Sequence, residues 1–137
     1  MKLAIQPVGV AYFHQTWPLV EKFLAEALKW GEDDYTAEQA KTFLARGDWL
    51  LVVAVDEENK IHGAAAVNFL NMPNDRIAFV VAIGGKLISN EDTYAQFSTL
   101  LKTYGATKIQ GAAREAIARL WTRYGFKERY RIVEARI

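Results

Sequence analysis

Thr107-Lys108-Ile109-Gln110, followed by Arg114-Glu115-Ala116-Ile117-Ala118-Arg119-Leu120-Trp121-Thr122-Arg123-Tyr124-Gly125-Phe126, is the stretch that decides the fold. The first four residues read as a short strand. In the second run Ile117, Leu120, Trp121 and Tyr124 recur at helical intervals, and the run stops at Gly125, the residue that ends helices at least steric cost. An aromatic and a polar-apolar run come directly after it, which predicts a helix over 114–124 and a last strand from Phe126 onward.

Working back from there, Glu91 to Tyr104 reads as a helix and Lys108 to Gly111 as the strand after it. Three strands precede them. Trp49 to Val55 is a nearly continuous apolar run suited to burial on both faces. Asp56 to Lys60 reads as a hairpin loop into Ile61 to Leu70, and Asn71 to Asp75 as a turn into Arg76 to Ile83, ended by Gly84-Gly85. Earlier still, Thr36-Ala37-Glu38-Gln39 has the spacing of a capping box, with Gly47 as its helix's stop signal. Another helix is expected from near Trp17 to near Gly31, with Pro18 at its first position and Leu19, Phe23, Leu24, Ala27 and Leu28 on its apolar face. Lys2 to Pro7 alternates as a first strand, with Leu3 and Ile5 on one face. The order β-α-α-β-β-β-α-β-α-β predicts an α/β domain over residues 1–137. Its mixed sheet has antiparallel hairpins in the middle and parallel crossovers later.

Composition sets outer bounds. A chain of 137 residues is one domain by length, with enough core to need no metal or disulfide. No cysteine is present, which excludes disulfides, thiol nucleophiles and cysteine-bound zinc, and two histidines, His14 and His62, do not make a metal site. No apolar run is long enough for a membrane helix and no secretory pattern opens the chain, so a cytoplasmic location is the default. Residues 114–137 carry seven basic against three acidic side chains. That end reads either as a solvated helix face and outer strand face, or as a patch for phosphate, nucleic acid or an acidic partner.

The element order, with Leu120, Gly125 and Phe126 at their motif positions, resembles the GNAT superfamily of N-acetyltransferases across almost the whole chain. The resemblance implies transfer of an acetyl group from acetyl-CoA to a primary amine. It also implies that the backbone of the strand at Phe79 to Ile83, with Val81, Ala82 and Ile83 among the cofactor-binding residues, pairs with the pantetheine arm. The family's pyrophosphate loop would fall on Gly84, Gly85 and Lys86 and run to Ser89 and Asn90, with Arg114 at the start of the last helix. The later glycines and the arginine of that loop are absent, and Ser89-Asn90-Glu91-Asp92 suits helix capping better than phosphate. Trp121 stands where the family has a tyrosine acid, and an indole supplies no proton. Tyr124, three residues on, is then the candidate acid. Asp75, at a strand entrance, is the candidate base, with Glu57, Glu58 and His62 as others.

After Gly125-Phe126 the residues to Ile137 leave room for one long strand where the family has a hairpin. That wall of the site is therefore either reduced or completed by a second subunit. The chain is also similar to short GNAT-like proteins encoded by bacteriophages, which would place it in the host cytoplasm or the virion. Three readings stand: an acetyl-CoA-dependent acyltransferase acting on a small-molecule or protein amine; a non-catalytic, self-associating or virion-associated module; and a nucleic-acid binder. No membrane partner is expected.

Overall fold

The computed structural model describes residues 1–30 and 34–137. Strands β1 (Ala4–Val8), β2 (Leu50–Val55), β3 (Ile61–Asn71), β4 (Arg76–Gly85) and β5 (Lys108–Gly111) form one sheet in that spatial order. β1 through β4 pair antiparallel and β5 joins β4 in parallel. Four helices accompany them: α1 (Phe13–Leu28), α2 (Ala37–Ala45), α3 (Glu91–Thr103) and α4 (Glu115–Trp121). The α/β class, the mixed sheet and the order of elements through α4 match the sequence expectation. None of the described helices is long and apolar enough to cross a membrane.

The sheet is covered on both faces, which is why β2 reads as an unbroken apolar run. Leu51, Val53 and Val55 face one core with α1 and α2, while Val52 and Ala54 face the other with α3. Leu3 and Ile5 share the α3 core, as their spacing predicts. The capping box forms: the Gln39 amide donates to Thr36 Oγ1 at 3.1 Å and the Thr36 amide to Gln39 Oε1 at 2.9 Å. Gly47 ends that turn at φ +79°.

Two expectations fail. α1 begins at Phe13, so Pro18 lies inside the helix rather than at its start. The buried stripe is Phe13, Trp17, Val20, Leu24 and Leu28, with Leu19 in solvent. Burying Phe13 and Trp17 outweighs the single backbone hydrogen bond that Pro18 forgoes. The expected stop at Gly31 falls outside the described residues. The last strand is also missing: from Phe126 on the chain forms no ladder. A strand pattern becomes a strand only with a neighbour to bond, and an open groove separates this segment from β5.

The two edges of the sheet differ. On β1 the side chain of Gln96, from α3, takes the place of a missing strand. The Ile5 amide donates to Gln96 Oε1 at 2.9 Å, and Gln96 Nε2 donates to the Leu3 carbonyl at 3.0 Å. β5 has no such cover among the described residues.

Gly84 and Gly85 are required by packing. A Cβ on Gly84 would stand 2.4 Å from the Phe23 carbonyl oxygen, and one on Gly85, at φ +65°, 2.4 Å from the His62 carbonyl oxygen. Both obstacles are backbone. Gly84→Ala is therefore expected to destabilise the fold by about 1 to 3 kcal/mol in urea unfolding. Phe23→Ala in the same chain should not restore the loss, because trimming that side chain leaves the carbonyl in place.

Candidate functional site

β4 and β5 stay together for four residue pairs and then part. Their ladder runs from Ile77↔Lys108 to Val80↔Gly111. On the other side of β4 the register with β3 shifts between Ala66 and Val67, so that Val81 is the extra residue of a bulge. A bulge bends and twists its strand. From Val81 onward the β5 side of β4 has no partner strand among the described residues. Along Val81 to Ile83 the backbone groups that face away from β3 thus border the opening where β4 and β5 part at their C-terminal ends. Their side chains belong to the cores, Val81 to one and Ile83 to the other.

The segment between β4 and α3 is shaped by its own packing. The Lys86 amide donates to the His62 carbonyl at 2.8 Å, and Leu87 is fully buried. Thr93, itself buried, accepts from the Ser89 and Asn90 amides at 2.9 and 3.2 Å, while the Thr93 amide donates to Asn90 Oδ1 at 2.9 Å. Glu91 and Asp92 occupy the first turn. Three amides that could face an anion are already bonded, and the positive end of the helix dipole meets two carboxylates. Of the residues expected to hold pyrophosphate, Gly84 and Gly85 serve close packing, Ser89 and Asn90 serve the cap, and Lys86 is the exposed cation.

Arg114, at the N-cap of α4, lays its guanidinium over the Trp30 ring at 4.1 Å from the centroid. This contact joins the segment after α1 to the start of α4. Trp30 was not expected from the sequence, where no local pattern distinguishes it.

Tyr124 closes a 3₁₀ turn after α4 and stacks on Tyr94 of α3 at 5.0 Å between centroids. Trp121 packs on the edge of Phe126. Tyr124 thus lines a groove with Tyr94 and Phe126, alongside Lys108 to Gln110 of β5. Tyr94 was not singled out in the sequence, since its place in the helix reads as ordinary packing.

Asp75 precedes β4, so roughly 20 Å of strand separates it from Val81. It bonds Lys108 Nζ at 3.0 Å and accepts from Thr107 Oγ1 at 2.9 Å, and these bonds hold its carboxyl below the usual range. The candidate base and the opening therefore lie at opposite ends of the sheet. Glu57 and Glu58 are exposed in the β2–β3 loop. His62 is at the open end: its Nε2 lies 2.7 Å from Asp56 Oδ2, and Asp56 Oδ1 accepts from the Glu58 and Lys60 amides. The His62 bond, with that from Lys60 second to it, lowers the Asp56 carboxyl. No group of three or more metal-binding side chains occurs among the described residues. The basic end is partly neutralised, since Arg119 pairs with Glu115 and Arg131 meets Glu128, while Arg114 keeps its charge over the Trp30 ring.

No protein-family model matches the chain, and no curated protein matches it in sequence. Solved structures do match in fold. An aminoglycoside acetyltransferase from an uncultured soil metagenomic sample, in complex with sisomicin, superposes with a TM-score of 0.67 at 13% identity, over 98% of this chain and 96% of that one. A second aminoglycoside acetyltransferase of metagenomic origin gives 0.67 at 15% identity, over 100% and 99%. A predicted acetyltransferase with acetyl-CoA from Clostridium acetobutylicum gives 0.63 at 16% identity, over 98% and 96%. The chain has the acetyltransferase fold; at these identities the likeness is one of fold.

Asp56 and Asp75 make acid stability a test of the geometry. A carboxyl lowered in the folded state adds stability above its unfolded value near pH 4, and loses it as pH falls through the folded value. The double variant Asp56→Asn, Asp75→Asn should therefore show a flatter decline of urea midpoint below about pH 4 than the parent. Parallel declines would mean that these bonds do not form.

Proposed function

We propose that this chain transfers an acetyl group from acetyl-CoA to a primary amine. The observation that carries the proposal is the parting of β4 and β5 after Val80 and Gly111, in an acetyltransferase fold, with the Val81–Ile83 backbone left open. An extended pantetheine arm carries amides that can bond such a backbone in the manner of an added strand. The pyrophosphate end fits less well. The α3 N-terminus is closed by its cap, which leaves Lys86 as the cation of that loop, so affinity rests mainly on the arm.

In the transfer the amine nitrogen attacks the thioester carbonyl carbon, a C–N bond forms, and the C–S bond breaks. The nitrogen gives up a proton, and the sulfur leaves as thiolate and later takes one up. A thiol titrates near 8.5, so its thiolate departs at neutral pH with little help from an acid. Trp121 in place of a phenol is therefore tolerable, and Tyr124 is not required at the sulfur. His62 sits beside Lys86 at the pyrophosphate end of the arm, away from the thioester, so the amine's proton passes to water. The acceptor class is a small or protein-borne amine, and the likeness to aminoglycoside acetyltransferases supports aminoglycosides as a first trial.

A second reading is favoured by the closed α3 N-terminus: a module with this fold that no longer binds CoA, as in a virion-associated or other assembly. Ligand-dependent stability separates the two. Acetyl-CoA at a hundredfold over its dissociation constant should add about 2.7 kcal/mol to stability, readily seen by thermal shift. A Cβ on Gly111 would meet only ordinary contacts, 3.5 Å from the Val80 carbonyl oxygen. Gly111→Ala should keep the shift, and Gly111→Phe, bulky at the mouth of the opening, should abolish it. Absence of any shift in the parent protein would favour the module.

A further inference from the structure

We propose that the groove beside β5 binds single-stranded nucleic acid, a function separate from acetyl transfer. The groove has a volume of about 500 Å³ and lies between β5, α3 and the segment that follows α4. β5 has β4 along one edge and this groove along the other, so the groove does not share the opening at Val81 to Ile83. Four cations line it, Lys102, Lys108, Lys127 and Arg129, and among the described residues no acidic side chain does.

Charge sets this groove apart from the rest of the molecule. Residues 1–113 carry ten basic against thirteen acidic side chains, whereas residues 114–137 carry seven against three. Lys102, Lys127 and Arg129 are exposed, and none of them forms an ion pair among the described residues. Lys108 is taken by Asp75 at 3.0 Å. That carboxylate lies within electrostatic reach of Arg129, but it already serves Lys108 Nζ and Thr107 Oγ1. Unpaired like charges around one cavity repel each other, and a polyanion laid between them relieves the repulsion.

The groove is aromatic as well as basic. Tyr124 stacks on Tyr94 at 5.0 Å, Phe126 meets Tyr94 edge-on at 5.9 Å, and all three half-buried rings line the groove. Tyr94 and Lys102 both reach it from α3, about 12 Å apart along the helix axis, roughly the length of three to four nucleotides stacked 3.4 Å apart. Rings for bases beside cations for phosphates are what a single strand requires. The outer amides of β5, with no partner strand among the described residues, add donors for phosphate oxygens. An acidic peptide would use the cations and leave the rings idle. A duplex, its bases already paired and stacked, has none to give them.

Fluorescence anisotropy of the full chain with a labelled oligothymidine of about twelve nucleotides tests the proposal. The oligonucleotide should bind at low salt, and log K should fall against log[salt] with a slope of about −2, as expected for three cations on a single strand. The triple variant Lys102→Gln, Lys127→Gln, Arg129→Gln should bind at least about tenfold more weakly and flatten that slope. All three positions are exposed, so its thermal melt should match the parent's. Tyr124→Leu keeps an apolar side chain; it should weaken binding about fivefold or more and leave the salt slope unchanged. Absence of binding by the parent at low salt, or binding indifferent to the triple variant, overturns the proposal. Equal affinity for a duplex of the same length or for polyglutamate also overturns it, since charge alone would then account for the contact.

Discussion

The backbone of Phe23 in α1 and the backbone of Gly84 in β4 touch, with no space between them for even one methyl group. Helix and sheet normally meet through side chains, which hold the two backbones well apart. Here the helix is drawn against the end of a strand, and the next residue must turn sharply, which Gly85 does at positive φ against the His62 carbonyl. The Lys86 amide then bonds that carbonyl and Leu87 drops into the α3 core. The start of α3, and with it the upper rim of the opening beside β4, depends on that approach.

The same arrangement explains why the fold and its expected cofactor chemistry diverge. Two adjacent glycines after a strand resemble a loop for phosphate, yet their lack of side chains is spent on α1 and β3. Three amides at the start of α3, those of Ser89, Asn90 and Thr93, are bonded to the Thr93 and Asn90 side chains instead. What persists is a property of strands rather than of residues: β4 bulges at Val81 and leaves β5. A bulge and a parted ladder survive wide sequence change because any side chain is compatible with them.

This division also accounts for what could be read in advance. Hairpins, strand limits near Lys108 to Gly111 and the cap at Thr36 were legible because each depends on residues a few positions apart. The face of α1 was not. Whether Leu19 or Trp17 turns inward depends on where the sheet lies, and Pro18 gave a misleading start because tertiary burial outweighed a local preference. Phe126 to Ile137 has the composition of a strand, but composition does not supply a partner. In the site, the reason for Gly84, the stacking of Arg114 on Trp30 and the distance of Asp75 from the opening all join segments remote in sequence. The opening itself has no side-chain signature to find.

Gln96 carries an implication for synthesis. The outer edge of β1 obtains its bonds from a residue made some ninety positions later. At roughly 5 to 20 residues per second, a ribosome needs about 5 to 20 s to bridge that interval. Throughout it the nascent chain holds Leu3 to Ile5 as an open template for any passing strand. The chain thus passes through a stage in which its beginning depends on chaperones or on speed, and that stage ends when α3 emerges and docks.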